Sequence, residues 1–213
     1  MQATALYNER TNMKEQILSA IEESIEAKEY LKEQEDSLLG AAEIIFKRFQ
    51  EGRKLLTCGN GGSAADAQHI AAEFTGRFKK ERKGLPAIAL TTDTSFLTAW
   101  ANDYEEGFET IFERQVQSLA KRNDVLWGIS TSGNSENVVR AFRKGREMGT
   151  YNLSLTGRDG GKLKELSDLN INIPVAATAR IQEAHELAYH IICGLVDDYA
   201  AHADRGEKWS VNK

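Results

Sequence analysis

Short apolar runs that alternate with helical patterns constrain the fold of this chain more than any other feature. Beyond residue 52, longer stretches with helical periodicity separate runs at 55–58, 87–90, 125–129, 153–155 and 171–175. Strands that alternate with helices are typical of βαβ units, in which the strands are parallel and buried on both faces. The sequence therefore predicts an α/β fold in which helices cover a parallel sheet.

The first 52 residues differ, because two predicted helices replace the alternation. Their apolar residues recur at helical spacing, at Ile17, Ile21, Ile25, Leu31, Leu38, Leu39, Ala42, Ile45, Phe46 and Phe49. We predict three regions: an N-terminal helical arm at 1–52, the α/β domain at 53–201 and a polar tail at 202–213. The arm packs either on its own domain or on a partner subunit, and both alternatives stay open at this point.

Composition argues against several classes of protein. The chain has 213 residues, of which 41% are hydrophobic and 28% charged, as in a soluble globular domain. Its net charge of −5 disfavours nucleic-acid binding, and the basic segment at 79–83 is expected to be a solvated loop. No run of 18 apolar residues and no signal-peptide pattern occurs, so we expect no membrane association. Cys58 and Cys193 form no disulfide framework, which favours a reducing, cytoplasmic location.

Two turns rich in glycine and serine each follow a predicted strand and precede a predicted helix. The first, Cys-Gly-Asn-Gly-Gly-Ser at 58–63, allows an anion to approach the backbone at a helix N-terminus, although it is neither a Walker A loop nor a dinucleotide fingerprint. The second, at 128–137, crowds hydroxyls that can satisfy a phosphate, from Ser130, Thr131, Ser132 and Ser135. A turn without ligand at the first loop, and a simple helix cap at Ser63 or Ser135, are the structural alternatives.

Both loops are expected at one edge of the sheet, because ligands of open α/β sheets bind beyond the carboxyl ends of the strands. A phosphorylated sugar fits them better than a dinucleotide, since the ribose-binding acid and the fingerprint are missing. A third turn, at 155–161, has the same texture and is predicted to be structural.

These loops, with Leu-Thr-Gly-Arg-Asp-Gly-Gly at 155–161 and Ala-Arg-Ile-Gln-Glu-Ala-His-Glu at 179–186, resemble the sugar isomerase (SIS) domain family, most closely its phosphoheptose isomerases. The resemblance spans about residues 10–200. It implies a five-stranded parallel sheet in a Rossmann-like three-layer sandwich, a homotetramer with sites at subunit interfaces, and zinc in several members. It also implies an aldose–ketose isomerase that converts D-sedoheptulose 7-phosphate to D-glycero-D-manno-heptose 7-phosphate through an enediol or enediolate, for bacterial heptose and lipopolysaccharide synthesis.

Two pairs of residues are candidates for the chemistry. His69 and Glu73, spaced i, i+4, lie about 40° apart on one helix face, where they can bind a metal, relay a proton or form a plain surface pair. Gln182 and His190 are separated by about 12 Å of rise on a straight helix, so one metal reaches both only if Gln182 precedes the regular helix or one of them belongs to another chain. The resemblance implies that all four residues form the zinc site, with Glu73 as general base and His190 as general acid. Because a tight ligand is a poor free base, Glu73 is left as ligand, base or both.

The resemblance assigns the substrate-binding residues as well. They comprise Asn60, Gly61, Gly62, Glu73, Asn102, Asp103 and Gln182 for the sugar, and Ser63, Ser130, Thr131, Ser132 and Ser135 for the phosphate. Asn102 and Asp103 alone would indicate only a turn or a helix end, and Ala179 departs from the family pattern, since some members carry an acidic residue there. The alternative function is a non-catalytic SIS scaffold that resembles the replication-initiator-associating protein. That relative lacks counterparts of Glu73 and His190.

Overall fold

The computed structural model describes residues 2–205, with side chains from residue 12 onward. Within that range, one five-stranded parallel sheet has the order β2-β1-β3-β4-β5. The strands are β1 (Leu55–Gly59), β2 (Ala87–Ala89), β3 (Val125–Ser130), β4 (Tyr151–Gly157) and β5 (Leu169–Ile173). The helices are α1 (Gln2–Glu29), α2 (Glu35–Gln50), α3 (Gly62–Thr75), α4 (Thr94–Asp103), α5 (Gly107–Leu119), α6 (Glu136–Met148), α7 (Gly161–Leu166) and α8 (Thr178–Asp204). The predicted α/β fold with a five-stranded parallel sheet is confirmed.

Helices cover both faces of the sheet and complete three layers. Strands β1 and β3 are buried along their whole length. Successive residues of a strand face opposite sides, so Leu55 packs in the core with α2, α3 and α8, whereas Leu56 packs with α5, α6 and α7. Since such strands have no polar face, continuous apolar runs marked them in the sequence.

The two N-terminal helices are buried to different degrees. In α2, Ala42, Ile45 and Phe46 lie in the core with residues of α8 and the sheet, so this helix packs on its own domain. In contrast, α1 carries an exposed apolar face that consists of Met13, Ile17, Leu18, Ile21 and Ile25. Packing of this face on a partner subunit stays a prediction.

The C-terminal helix α8 extends beyond residue 201, where the α/β domain was predicted to end. It continues past 201 to Asp204, and residues 206–213 of the predicted polar tail lie outside the described residues. Among the described residues, no helix is both long enough and apolar enough to cross a membrane.

The basic segment at 79–83 was expected to be a solvated loop, and this expectation is wrong for Arg82. The side chain of Arg82 is 1% exposed, and its Nε lies 2.5 Å from Oδ1 of Asp197, which is equally buried. A guanidinium tolerates burial when a carboxylate and carbonyl groups satisfy its N–H donors, as they do here. The partner lies 115 positions away along the chain, so no local pattern revealed it.

His185 links α8 to β4 inside the core. Its side chain is fully buried, and its Nε2 lies 2.8 Å from the carbonyl oxygen of Thr156. Because a carbonyl only accepts, Nε2 carries the proton, while the buried Nδ1 has no hydrogen-bond partner among the described residues. Burial lowers the pKa of His185 to about 4, and the hydrogen bond to Thr156 opposes this only in part.

The substitution His185→Gln is expected to flatten the dependence of stability on pH. His185 stays neutral in the folded chain down to about pH 4, whereas the unfolded chain takes up a proton below the ordinary pKa of 6.5. Its contribution is therefore complete above pH 6.5 and is lost as the pH falls toward 4. Glutamine keeps a donor for Thr156 and cannot titrate, so the slope of the unfolding free energy should decrease by up to about 1.4 kcal/mol per pH unit.

Urea unfolding at pH 5 and pH 7 measures this difference between the variant and the wild type. Equal slopes in the two proteins would contradict the assignment of a neutral, buried His185.

Candidate active site

The two predicted loops leave the same edge of the sheet. β1 and β3 are adjacent and parallel, so the loop before α3 and the loop before α6 begin side by side. The strand order also reverses there, since β2 lies on one side of β1, and β3, β4 and β5 follow on the other side. Open α/β proteins bind ligands in the crevice at such a switch point.

A reciprocal pair of side-chain amides joins the two loops. The Nδ2 of Asn60 donates to Oδ1 of Asn137 at 2.8 Å, and the Nδ2 of Asn137 donates to Oδ1 of Asn60 at 2.9 Å. The N-cap of α3 is Gly61, whose φ of 54° favours glycine. Ser63 is the second residue of the helix and is therefore not the cap. The amide pair fixes the N-termini of α3 and α6 relative to each other, and both helix ends favour an anion.

Three serine hydroxyls form a cluster at the start of α6. The Oγ of Ser130 lies 2.8 Å from that of Ser135 and 3.4 Å from that of Ser132. Ser135 occupies the N-cap position, but its side chain makes no capping bond, which argues against a simple cap. Thr131 is half-buried in the same turn. This serine cluster places O–H donors beside a helix N-terminus, as a phosphate site requires.

The third loop supports the second. Gly133 has a φ of 64°, and a Cβ at that position would lie 2.0 Å from the carbonyl oxygen of Gly160. The backbone N–H of Lys162 also donates to Oδ1 of Asn134 at 3.1 Å. Only glycine at position 133 permits the close approach to Gly160, so the third loop packs directly against the second. The structural role of the third loop stays a prediction.

Three of the four predicted metal ligands meet between α3 and α8. His69, Glu73 and His190 each offer one ligand atom, and these atoms lie within 4.8 Å of one another. The Nε2 of His69 donates to Oε1 of Glu73 at 3.0 Å, and the rings of His69 and His190 meet edge to face at 4.9 Å between centroids. The side chain of His69 is 42% exposed and that of Glu73 17%, so this His–Glu–His cluster is open on one side.

Two aromatic residues that the sequence did not single out hold this cluster. The hydroxyl of Tyr189 lies 3.0 Å from Nδ1 of His69, and the ring of Phe78 stacks on His190 at 5.4 Å with an interplanar angle of 13°. Burial, and next the neighbouring His69, lower the pKa of His190 below its usual value, which makes its protonated ring a stronger acid. An aromatic residue on an apolar helix normally indicates core packing, so Tyr189 carried no separate signal.

Gln182 lies nearer to the first loop than to the His–Glu–His cluster. It is inside the regular helix α8, which begins at Thr178, so the alternative that Gln182 precedes the helix is wrong. Its Nε2 donates to Oδ2 of Asp66 at 3.3 Å, and a Cβ on Gly62 would lie only 2.3 Å from that nitrogen. The amide therefore faces the start of α3, about two turns before His190.

Asp66 is a further site residue that the sequence reasoning missed. It is buried on α3, three residues before His69. Burial, and next the neighbouring carboxylate of Glu186, raise the pKa of Asp66 to about 6, and the hydrogen bond from Gln182 opposes this. The i, i+3 spacing to His69 would have placed Asp66 near the same face of the helix.

Asn102 and Asp103 occupy the last turn of α4, where both are exposed. The amide of Asn102 donates to Oδ1 of Asp103 at 3.1 Å. Within residues 12–205, no hydrogen bond joins either of them to the serine cluster or to the His–Glu–His cluster.

Comparison with known proteins agrees with this architecture. The model of the SIS domain family matches residues 18–157. The phosphoheptose isomerase of Aliarcobacter butzleri is 54% identical over 168 residues, which are 79% of this chain and 88% of the relative. The solved structure of a phosphoheptose isomerase from Neisseria gonorrhoeae superposes with a TM-score of 0.81 at 46% identity, and the match covers 87% of this chain and 99% of that one. The solved structure of a phosphoheptose isomerase from Francisella tularensis superposes with a TM-score of 0.82 at 37% identity, and the match covers 86% of this chain and 97% of that one. The chain therefore belongs to the SIS domain family and, within it, to the phosphoheptose isomerases.

Proposed function

We propose that this chain is an aldose–ketose isomerase that converts D-sedoheptulose 7-phosphate to D-glycero-D-manno-heptose 7-phosphate, a precursor for bacterial heptose and lipopolysaccharide synthesis. The observation that carries the proposal is the placement of the two clusters relative to α3: the serine cluster is joined to the loop before this helix, and the His–Glu–His cluster lies further along it. This helix begins at the loop that Asn60 joins to the serine turn, and it presents His69 about 10 Å further along its axis. The separation suits a substrate with a phosphate at one end and the reacting carbons at the other.

The serine cluster is the proposed phosphate site. The hydroxyls of Ser130, Ser132 and Ser135 can rotate to donate to the phosphate oxygens, and Thr131 and Ser63 add further hydroxyls at the starts of α6 and α3. No lysine is needed, because two helix N-termini supply partial positive charge. For the sugar hydroxyls we propose Asn60, Gly61, Gly62, Asn102, Asp103 and Gln182.

Glu73 is the proposed base and His190 the proposed acid. Glu73 removes a proton from C1 of the ketose, the C1=C2 bond forms, and the carbonyl oxygen on C2 takes a proton from His190 to give the enediol. The C1 hydroxyl then returns a proton to His190 as C1=O forms, and C2 takes the proton from Glu73. His69 engages Oε1 of Glu73, and within the described part of the chain no hydrogen bond engages Oε2, which leaves that oxygen for the proton.

The His–Glu–His cluster also fits a divalent ion, and we propose zinc, one per chain. Two imidazoles and a carboxylate are donors that zinc prefers. The Tyr189 hydroxyl can accept the proton of Nδ1 when Nε2 of His69 serves as a ligand. The resemblance adds the amide of Gln182 as a fourth, weaker ligand, so we expect loose binding. When bound, the ion would supply Lewis-acid stabilisation to the developing oxyanion.

The scaffold alternative lacks a comparable supporting observation. A scaffold has no need of a base and an acid in one cluster, yet Glu73 and His190 lie together in one partly exposed cluster here. The enzyme is therefore the function that the geometry favours.

A cytoplasmic homotetramer with active sites at subunit interfaces completes the proposal. The exposed apolar face of α1 supports a partner subunit, since contiguous exposed apolar residues mark interaction surfaces. The exposure of Asn102 and Asp103 fits a role in a site that two subunits share. Cys58 and Cys193 are free and buried, which suits a reducing compartment. We expect the partners to be the sugar phosphate and further copies of the chain, without nucleic acid or membrane.

Incubation of the purified protein with D-sedoheptulose 7-phosphate tests the proposed function. Proton NMR should record the appearance of signals of the aldose heptose 7-phosphate. A sample that stays unchanged at micromolar enzyme would contradict the proposal.

Glu73→Gln is expected to lower kcat by at least about 100-fold, because the near-isosteric amide cannot accept the proton from C1. The melting temperature should stay close to the wild-type value. Glu81→Gln is the control, since Glu81 is exposed in the loop after α3 and pairs only with Arg77 among the described residues. Normal turnover by Glu73→Gln would show that another group is the base.

Ser132→Ala is expected to raise KM about 10-fold with little change in melting temperature, because the lost hydroxyl contacts a charged phosphate. In the part of the chain that the structure describes, the hydroxyl of Ser118 bonds only to the carbonyl of Arg114 on α5, so Ser118→Ala should leave KM unchanged. Steady-state kinetics and thermal unfolding measure both effects. An unaltered KM in Ser132→Ala would place the phosphate elsewhere.

Metal analysis of the purified protein should find about one zinc per chain, held by the His–Glu–His cluster. A chelator should lower the activity, and added zinc should restore it. Full activity in a sample free of metal would remove the Lewis-acid part of the proposal.

A further inference from the structure

The ion pair of Arg82 and Asp197 is the most deeply buried in the described part of the chain. Both side chains are 1% exposed. Burial of two charges is costly unless hydrogen bonds satisfy each of them, and an apolar pair of similar volume would often be at least as stable. The specific contacts of this pair therefore matter more than its net contribution to stability.

Arg82 binds the C-terminal end of α3. Its Nη2 donates to the carbonyl oxygen of Glu73 at 2.8 Å, and its Nη1 donates to those of Phe74 at 3.0 Å and Gly76 at 3.3 Å. The last carbonyls of a helix have no partner within the helix, and a cation there is favourable. The guanidinium therefore holds the turn of α3 that carries Glu73.

Asp197 holds the segment that follows α3. While Oδ1 receives Nε of Arg82, Oδ2 accepts the backbone N–H groups of Lys79 at 2.7 Å and Lys80 at 2.8 Å. These two residues directly follow Phe78, whose ring stacks on His190. Asp197 lies seven residues after His190 on α8, close to the same face. One carboxylate thus fixes the approach of Phe78 to His190.

We propose that Arg82 and Asp197 are positioning residues for the isomerase site: together they set the distance between Glu73 on α3 and His190 on α8. Neither side chain touches the reacting atoms, so the pair acts through Glu73 and through Phe78. The inference rests on the proposed function for its kinetic consequence, but its geometry does not.

A second buried carboxylate provides a matched control. Asp124 accepts the backbone N–H groups of Lys54 at 3.0 Å and Lys121 at 2.7 Å, and Nζ of Lys54 lies 2.5 Å away. Its side chain is 2% exposed. Lys54 and Asp124 directly precede β1 and β3, at the end of the sheet opposite to the loops of the site. The two carboxylates share their chemistry and differ in location.

Asp197→Asn and Asp124→Asn are therefore compared at a temperature where both variants are folded. Both should melt below the wild type. Asp197→Asn should lower kcat about 10-fold to 100-fold, since small misplacements of catalytic groups cost that much, with KM within about threefold. Asp124→Asn should keep kcat within about twofold. Arg82→Lys, which keeps the charge but not the fork of donors, should fold and show a smaller loss of kcat than Asp197→Asn.

A readout independent of activity follows the ring of His190. With labelled histidine, the ring signals of the chain's four histidines are few enough to assign by NMR. Asp197→Asn should shift the His190 signals as the stacked Phe78 moves, whereas Asp124→Asn should leave them in place. Wild-type kcat with unmoved His190 signals in Asp197→Asn, or an equal loss of kcat in Asp124→Asn, would overturn the proposal. A shift confined to Asp197→Asn in a protein without isomerase activity would support the positioning role and refute only the proposed function.

Discussion

The side-by-side packing of α3 and α8 is the interaction on which the site depends. The contacts follow both helices in the same order, with Gln182 beside Asp66, Tyr189 beside His69, and Asp197 beside the segment after α3. The helices therefore run in the same direction, and one face of α3 meets one face of α8 from the first loop to the His–Glu–His cluster. A register shift of one turn would displace Glu73 relative to His190 by about 5 Å along the helix axis, in addition to their present separation.

The sheet supplies the second constraint on the site, because it places the N-termini of α3 and α6 side by side, and helix N-termini favour anions. β2 pairs with the side of β1 that faces away from β3, so β1 and β3 are neighbours in the sheet. This strand order creates the crevice between the loops that follow β1 and β3. The amides of Asn60 and Asn137 then fix one loop against the other. In the proposed isomerase, the sugar phosphate would extend from this end of the sheet along α3, and the proposed base and the proposed acid lie on two helices that pack on the same face of the sheet.

Local patterns were sufficient for part of this description. Buried parallel strands produce apolar runs, and the i, i+4 spacing placed His69 and Glu73 on one face, so both predictions needed only nearby residues. Contacts between distant segments were beyond reach. The burial of Arg82 and the position of Phe78 both depend on the carboxylate of Asp197 on α8. The amide of Gln182 could be placed against Asp66 only once the structure showed that Gln182 lies inside a regular helix. The apolar face of α1 was visible as a pattern, but the pattern could not distinguish burial from exposure.

The central claim is that one bound sugar spans both clusters. A crystal structure of the assembled wild-type protein soaked with D-sedoheptulose 7-phosphate tests it most directly. The account predicts phosphate oxygens within about 3.2 Å of the hydroxyls of Ser130, Ser132 and Ser135, and the first two carbons of the sugar between Glu73 and His190. A phosphate bound away from the serine turn, or a sugar chain directed away from α8, would contradict the account.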